Sequence, residues 1–378
     1  MGQRVAAGIT LLALLAPAGC SIGDIRRPPP PASVAPSATP ESTRPAPVPP
    51  AEVRRVRVPV PGDYQQQNVE FTDQVHGYAL FTRCGQAGDG TGKTVPSCQA
   101  ILLATADGGR SWQKLRHPRP EARNQQLYAG GDGLVLLAEP HGWYASPDRG
   151  RTFRHLPIGR EAPPAYLRLF GRFQICCDAD PQPRIVEWTG ERRRPLPVQP
   201  DVGNLHSVGY GGGSLMAAGL RDGQPYTAIG SPDGRTWQPI RVHPADRPVA
   251  GVRVELSPSG SAWLVGRTDD PQGFPPLWHL VTGAWEFEPA VGHPAVAHGF
   301  AVTLAGMLAV SGPDGPGLVT GGRFYPKGWP IAAGWLRSLD GTALLHTASE
   351  DGTVSIGLPT GTPAGVDYAW IRLVLEKS

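Results

Sequence analysis

The chain has 378 residues, 40% of them hydrophobic and 18% charged, and a formal net charge of only +3. That balance leaves no broad basic face for nucleic acid, and about 325 residues beyond the N-terminal segment are enough for a large core. Strand-like runs are many and long helical patterns few, so the expected class is all-β.

Residues 1–19 read as an export signal. Arg4 charges the front, Val5 to Ala16 is apolar, and small residues lead to Cys20. The apolar core is too short to span a membrane as a mature helix. The ending Leu15-Ala16-Pro17-Ala18-Gly19-Cys20 resembles the bacterial lipobox, in which the Cys becomes the lipidated first residue. Ala18 and Gly19 fit that pattern; Pro17 stands where the family usually has Leu. The resemblance implies a lipid anchor at Cys20 on the extracytoplasmic face of the cell membrane. The alternative is an ordinary secreted protein cleaved near Ala18.

Residues 20–52 form a stalk. Ten of the 23 residues from Pro28 to Pro50 are Pro, mixed with Ala, Ser and Thr. Such a segment buries no core and favours extended polyproline II, a semi-rigid spacer of about 3.1 Å per residue. Residues 53–378 remain for one folded domain.

Cys84 and Cys98 flank a Gly-rich loop between the strand-like runs Gly77–Arg83 and Gln99–Thr105. In an oxidising compartment they are expected to close that hairpin as a disulfide. Cys176 and Cys177 are adjacent, and either form a vicinal disulfide or stay reduced on opposite faces of a strand.

A motif then repeats. Thr105-Ala-Asp107-Gly-Gly109-Arg-Ser-Trp112 returns as Ser146-Pro-Asp148-Arg-Gly150-Arg-Thr-Phe153. A copy one residue shorter is Ser231-Pro-Asp233-Gly234-Arg-Thr-Trp237. These segments resemble the Asp box, or BNR repeat, of sialidase-like propellers. Asp accepts nearby backbone N–H groups, Gly tolerates positive φ, and the aromatic residue returns to the core. The reading is structural, with Asp107, Asp148 and Asp233 as turn staples.

The spacing gives the architecture. Trp112 to Phe153 is 41 residues and Phe153 to Trp237 is 84, twice 42, which suits four-stranded blades. Degenerate copies continue the series at Arg184–Arg192, Leu280–Trp285 and Leu318–Phe324. Ser349–Val354 and Tyr368–Leu375 supply a last blade. The expected fold is a β-propeller of seven blades, with six or eight left open. A strand around Val53 to Val60 is expected to pair with a late strand and close the ring. Val69-Glu-Phe-Thr-Asp-Gln-Val-His-Gly-Tyr78 is similar to a blade opening in exported propellers of the photosystem II assembly factor type, which act as binding scaffolds.

Other motifs look chemical. Ala87-Gly-Asp-Gly-Thr-Gly-Lys-Thr94 matches a loose phosphate-loop pattern, but Val95–Cys98 leads into a strand where a helix is needed, so it reads as a hairpin tip. His293 and His298 lack a third ligand at metal spacing, and no metal or cofactor is expected. Ser257-Pro-Ser-Gly-Ser261 lacks the glycines of a hydrolase elbow and reads as a turn. Exo-sialidases carry Asp boxes and need an arginine cluster, whose first member lies in an aromatic-Arg-Ile-Pro motif. Here the nearest string is Arg184-Ile-Val186, without the Pro and after two boxes. Arg83, Arg168, Arg172, Arg221, Arg253 and Arg337 remain candidates for a cluster.

The functional expectation is a non-catalytic, monomeric binding or scaffold module for an envelope protein, peptide or polysaccharide, its site supplied by the innermost strands. An exo-sialidase-like glycoside hydrolase is the alternative.

Overall fold

A computed structural model describes residues 51–88, 94–131, 133–159, 162–176, 183–189, 192–270, 272–339, 342–348, 353–360 and 367–378. Cys20, the stalk up to Pro50, Cys177 and residues 89–93 of the Gly-rich loop lie outside them.

Local chemistry sets the hairpins. Gly212-Gly213, Asp222-Gly223, Thr282-Gly283 and Gly321-Gly322 all take positive φ at both positions. Each pair joins directly paired strand ends, Gly211 to Ser214, Arg221 to Gln224, Val281 to Ala284 and Thr320 to Arg323. This is the two-residue turn whose twist matches that of flanking strands. The second strand of several blades is buried on both faces, as in Leu134–Ala138 and Leu215–Leu220, and so reads as a continuous apolar run.

Seven sheets result. Blade 1 comprises Gln65–Phe71, Gly77–Gly88, Thr94–Thr105 and Gln113–Leu115. Blade 2 comprises Asn124–Gly130, Gly133–Glu139, Gly142–Ser146 and Arg154–Leu156. Blades 4, 5 and 6 open on Asn204–Gly211, Gly251–Leu256 and Gly299–Val302, each with three further strands. Blade 7 runs from Gly334–Leu339 to Asp367–Lys377. The chain is a seven-bladed β-propeller.

Blade 3 departs from the pattern. Among the described residues it has three strands, Phe173–Cys176, Arg184–Thr189 and Arg192–Pro195. Where the other blades open on a strand, the chain forms a helical turn, Pro164–Leu167, continued by a 3-10 turn, Arg168–Phe170. Pro164 suits a helix start because its missing N–H has no intrahelical partner there. Of the degenerate copy at Ser349–Val354, residues 349–352 lie outside the described residues.

The core is a set of seams, one at each junction between neighbouring blades. Phe71, Phe81, Leu345 and Leu373 share the seam of blades 1 and 7. Leu102 meets Leu127 and Leu136 between blades 1 and 2. Phe173 and Ile185 meet Leu215 between blades 3 and 4. Trp278 and Trp285 pack with Met216 between blades 4 and 5. Trp263 meets Phe300 and Phe324 between blades 5 and 6, and Leu318 meets Leu344 and Trp370 between blades 6 and 7. The remaining seam holds Tyr128, Val135 and Leu137 of blade 2 against Tyr166 of the helical turn.

Ring closure follows the expectation, with one difference. Glu52–Val58 pairs with Asp367–Lys377 in parallel register, Glu52 opposite Ile371 and Val58 opposite Lys377. It is a fifth, outermost strand on a blade that already has four. Removal of residues 52–58 uncovers an eleven-residue edge strand and part of the first seam. The truncated chain is expected to unfold at a markedly lower urea concentration and to aggregate; an unchanged midpoint would show that closure does not depend on this strand.

Candidate functional site

In a four-stranded meander the turns fall on two faces. First-to-second and third-to-fourth turns lie on one, here the turn face. Second-to-third loops and the links between blades lie on the other, the connector face.

The three repeated Asp-centred turns lie on the turn face, and their polar groups are spent locally. Asp107 Oδ1 accepts the N–H groups of Arg110 and Ser111, both at 2.9 Å, and Oδ2 accepts Ser111 Oγ–H at 2.6 Å. Thr105 Oγ1 donates to Asp107 at 2.8 Å and accepts the Gly109 N–H at 3.0 Å. Asp148 repeats this with Thr152 N–H at 2.9 Å, Thr152 Oγ1–H at 2.7 Å and Ser146 Oγ–H at 2.8 Å. These bonds, led by the Ser111 and Thr152 hydroxyls, hold both carboxyls down to about 2. The shorter third copy changes its hub. Ser231 Oγ accepts the N–H groups of both Arg235 and Thr236 at 3.1 Å, while Asp233 accepts from Ser231 Oγ and Arg235 N–H. Trp112 is buried, Phe153 half-buried, and Trp237 Nε1 donates to Val198 O at 2.9 Å.

The innermost strands use polar side chains to stitch blades together. Asn68 Nδ2 donates to Leu127 O at 3.2 Å, and Ser207 Oγ accepts the Val254 N–H at 3.1 Å. Arg337 Nη2 crosses from blade 7 to Glu70 Oε2 at 3.1 Å and Phe71 O at 2.6 Å. In blade 5, Arg253 pairs with Glu255 at 2.5 Å and lies 5.7 Å from the Phe300 ring. Burial pushes the Glu255 carboxyl up against the opposing pull of Arg253, although 23% of its side chain still reaches solvent.

The candidate arginines are dispersed. Arg83 pairs with Asp63, Arg172 with Glu187, Arg221 with Asp201, Arg253 with Glu255 and Arg337 with Glu70. Arg168 sits in the 3-10 turn. They occupy blades 1, 3, 4, 5 and 7 and the helical turn, and each pair takes up one carboxylate. His293 Nδ1 donates to Pro294 O at 2.7 Å, and its ring stacks on Phe274. Ser257 and Ser261 close the turn between the first two strands of blade 5. Arg193 Nη1 lies 2.6 Å from Cys176 Sγ.

One feature leaves the ring. The second and third strands of blade 1 stay paired from Gly77↔Thr105 to Gly88↔Thr94. The first strand accompanies them only as far as Thr82, and the fourth pairs only with Leu102–Ala104. Beyond Arg83 and Gln99 the pair is therefore a two-stranded arm on the connector face. Such ribbons are marginal alone, and a Cys84–Cys98 disulfide spans directly opposed positions. A polar knot fixes its base. Arg83 bonds Asp63 and Gln99, its guanidinium lies 5.0 Å from the Tyr64 ring, and Tyr64 Oη–H donates to Gln99 Oε1 at 2.9 Å. The Arg83 bond holds the Asp63 carboxyl below its usual range.

Sequence reasoning located the arm's cysteines but missed the polar knot, whose members are far apart in the chain. It also missed the helical turn, although Pro163-Pro164 ahead of Ala-Tyr-Leu is a start signal.

No protein-family model matches this chain, and no curated protein matches it in sequence. Among solved structures it is similar to YCF48 from Cyanidioschyzon merolae, at 14% identity and TM-score 0.40 over 79% of this chain and 94% of that one. It is also similar to Kluyveromyces lactis Hsv2, at 11% identity and TM-score 0.41 over 82% and 97%. A Mycobacterium tuberculosis puromycin-hydrolyzing peptidase matches at 16% identity and TM-score 0.42, covering 85% of this chain and 56% of that one. Likenesses at these values carry no argument about chemistry, and the blade count rests on the strand pairing.

The Asp-box turns make stability depend on pH. Unfolded aspartates protonate near 3.9, whereas Asp107 and Asp148 hold out to about 2. Their contribution is complete above about pH 4 and drains away as pH falls towards 2. The urea midpoint is expected to fall over that window, and Asp107→Asn/Asp148→Asn is expected to flatten the fall. An equally steep fall in the double variant would remove these turns as its source. At the third turn Ser231→Ala is expected to cost more than Asp233→Ala, the reverse of the second turn, as paired urea melts would read.

Proposed function

We propose that the chain is an exported, lipid-anchored, non-catalytic propeller that binds an envelope protein or peptide through the blade 1 arm and the connector face around it. The observation that carries this reading is the arm itself. Among the described residues none of its side chains enters a seam, yet a disulfide and a polar knot hold it in place. Rigidity without a packing role fits a recognition element, because a pre-ordered segment loses less entropy on binding. Strand edges left unpaired along it offer main-chain groups to an extended partner segment.

Anchoring rests on the N-terminal pattern. A signal ending just before Cys20 and a Pro-rich spacer would display the ring at a distance from the bilayer. A disulfide suits that oxidising side. The inner-strand charges support binding over hydrolysis, since Arg253 and Arg337 each spend their charge on a neighbouring Glu.

Two variants test the reading. Cys20→Ser is expected to move the protein from the membrane to the soluble fraction; retention in the membrane would contradict the lipid anchor. Replacing residues 84–98 with a two-residue turn, which keeps Arg83 and Gln99 of the knot, is expected to abolish capture of a dominant crosslinked partner, with melting nearly unchanged. Equal capture by the armless chain would refute the arm's role. Cys84→Ser/Cys98→Ser removes a clamp worth about 3 kcal/mol on a loop of this length. It is expected to raise hydrogen exchange within the arm while leaving the seams protected.

A further inference from the structure

On the outer side of the ring, a groove of about 880 Å³ runs between blades 1 and 2, separate from the arm's knot and from the channel. Three elements bring cations to it. Lys114 and Arg116 come from the end of blade 1, two residues apart and so on one side of an extended segment. Arg119 comes from the link between the blades, and Arg151 from the second Asp-box turn. That turn sets Arg151 at the lip, because its neighbour Thr152 is tied to Asp148 through both backbone N–H and hydroxyl.

Charge in the groove is one-sided. Among the described residues Glu121 is the one acidic residue lining it, and it faces Arg119 at 3.6 Å. Among the described residues Lys114, Arg116 and Arg151 are in no ion pair, and all three are exposed. Elsewhere among the described residues some exposed arginines are matched, as Arg172, Arg221 and Arg253 are, and others such as Arg57, Arg123 and Arg323 stand singly on the surface. A scattered solvated cation needs no explanation; unmatched cations converging on one concavity focus a positive field and raise the local concentration of anions. Rings lie among them. Phe153 is half-buried and shows part of its ring to the groove, while Tyr144 is buried beneath it with its hydroxyl on Pro120 O at 3.4 Å. Flat apolar surface beside guanidinium groups suits a ligand with ring faces and carboxylate or phosphate substituents.

We propose that this groove binds an acidic polysaccharide. The choice of a glycan rests on the reading of residues 1–19 as an export signal, which places the propeller where cell-surface polymers are met; the charge argument does not. Anchoring the ring by a lipid and holding a surface polymer at its rim would tie the protein to two layers at once, leaving the arm free for its partner.

Titration of the purified full chain with an oligogalacturonate, a poly-glutamate of equal charge and a neutral dextran tests this. The uronate is expected to bind, more weakly as salt rises, with dextran inert. Lys114→Gln/Arg116→Gln/Arg151→Gln is expected to weaken binding about tenfold or more, the product of three exposed charge contacts of severalfold each. A control with the same charge loss at distant sites, Arg221→Gln/Arg235→Gln/Arg323→Gln, is expected to keep most of it. Equal weakening in both variants, or no binding of the uronate, would overturn the groove. Poly-glutamate binding as tightly as the uronate would overturn the glycan and point to an acidic peptide. None of these outcomes depends on the membrane anchor or on the arm, whose failure is read in cell fractions and crosslinks.

Discussion

Everything in this molecule depends on closing a ring of apolar seams. A single four-stranded blade is buried on neither face alone, so each second strand needs a neighbour on both sides. Leu134–Ala138 and Leu215–Leu220 pack into seams this way. The arrangement is stable only when the last blade meets the first. Here Phe71 and Leu373 meet in that junction, and Glu52–Val58 covers the outer edge of blade 7. The helical turn in blade 3 is allowed by the same rule. Tyr166 fills its seam against Tyr128 and Trp143 with ring contacts of 4.7 and 4.8 Å, so apolar volume is conserved where a strand is not.

Once the seams are filled, the polar groups sort by what they hold. Asp107 and Asp148 staple turns on one face, and Ser207, Asn68 and Arg337 stitch blades near the axis. What remains uncommitted lies elsewhere: a ribbon clamped at Cys84 and Cys98, and unmatched cations in the rim groove. Recognition is therefore sought at the periphery and on the arm, away from the channel axis where the innermost strands meet.

The sequence made the ring legible because its turn chemistry repeats. Turn glycines at positive φ and a 42-residue period are local signals, and they survive in Gly109 and Gly150 where third strands turn into fourth. Cys84 and Cys98 were readable as a pair because a hairpin makes them neighbours. Blade 3 was not readable in the same way, since its strand Arg184–Thr189 matches the period while the preceding segment turns helical. The knot at the arm's base and the groove of Lys114, Arg116 and Arg151 join residues from separate elements, and only the closed ring brings those together.

The account turns on which face meets the partner. A photoreactive residue placed in living cells at Ser97, exposed on the arm, and separately at Arg235, exposed on the third Asp-box turn, would compare the faces directly. The account predicts one dominant crosslinked product from position 97 and none from position 235. A dominant product from position 235, with position 97 silent, would contradict it and place recognition on the turn face.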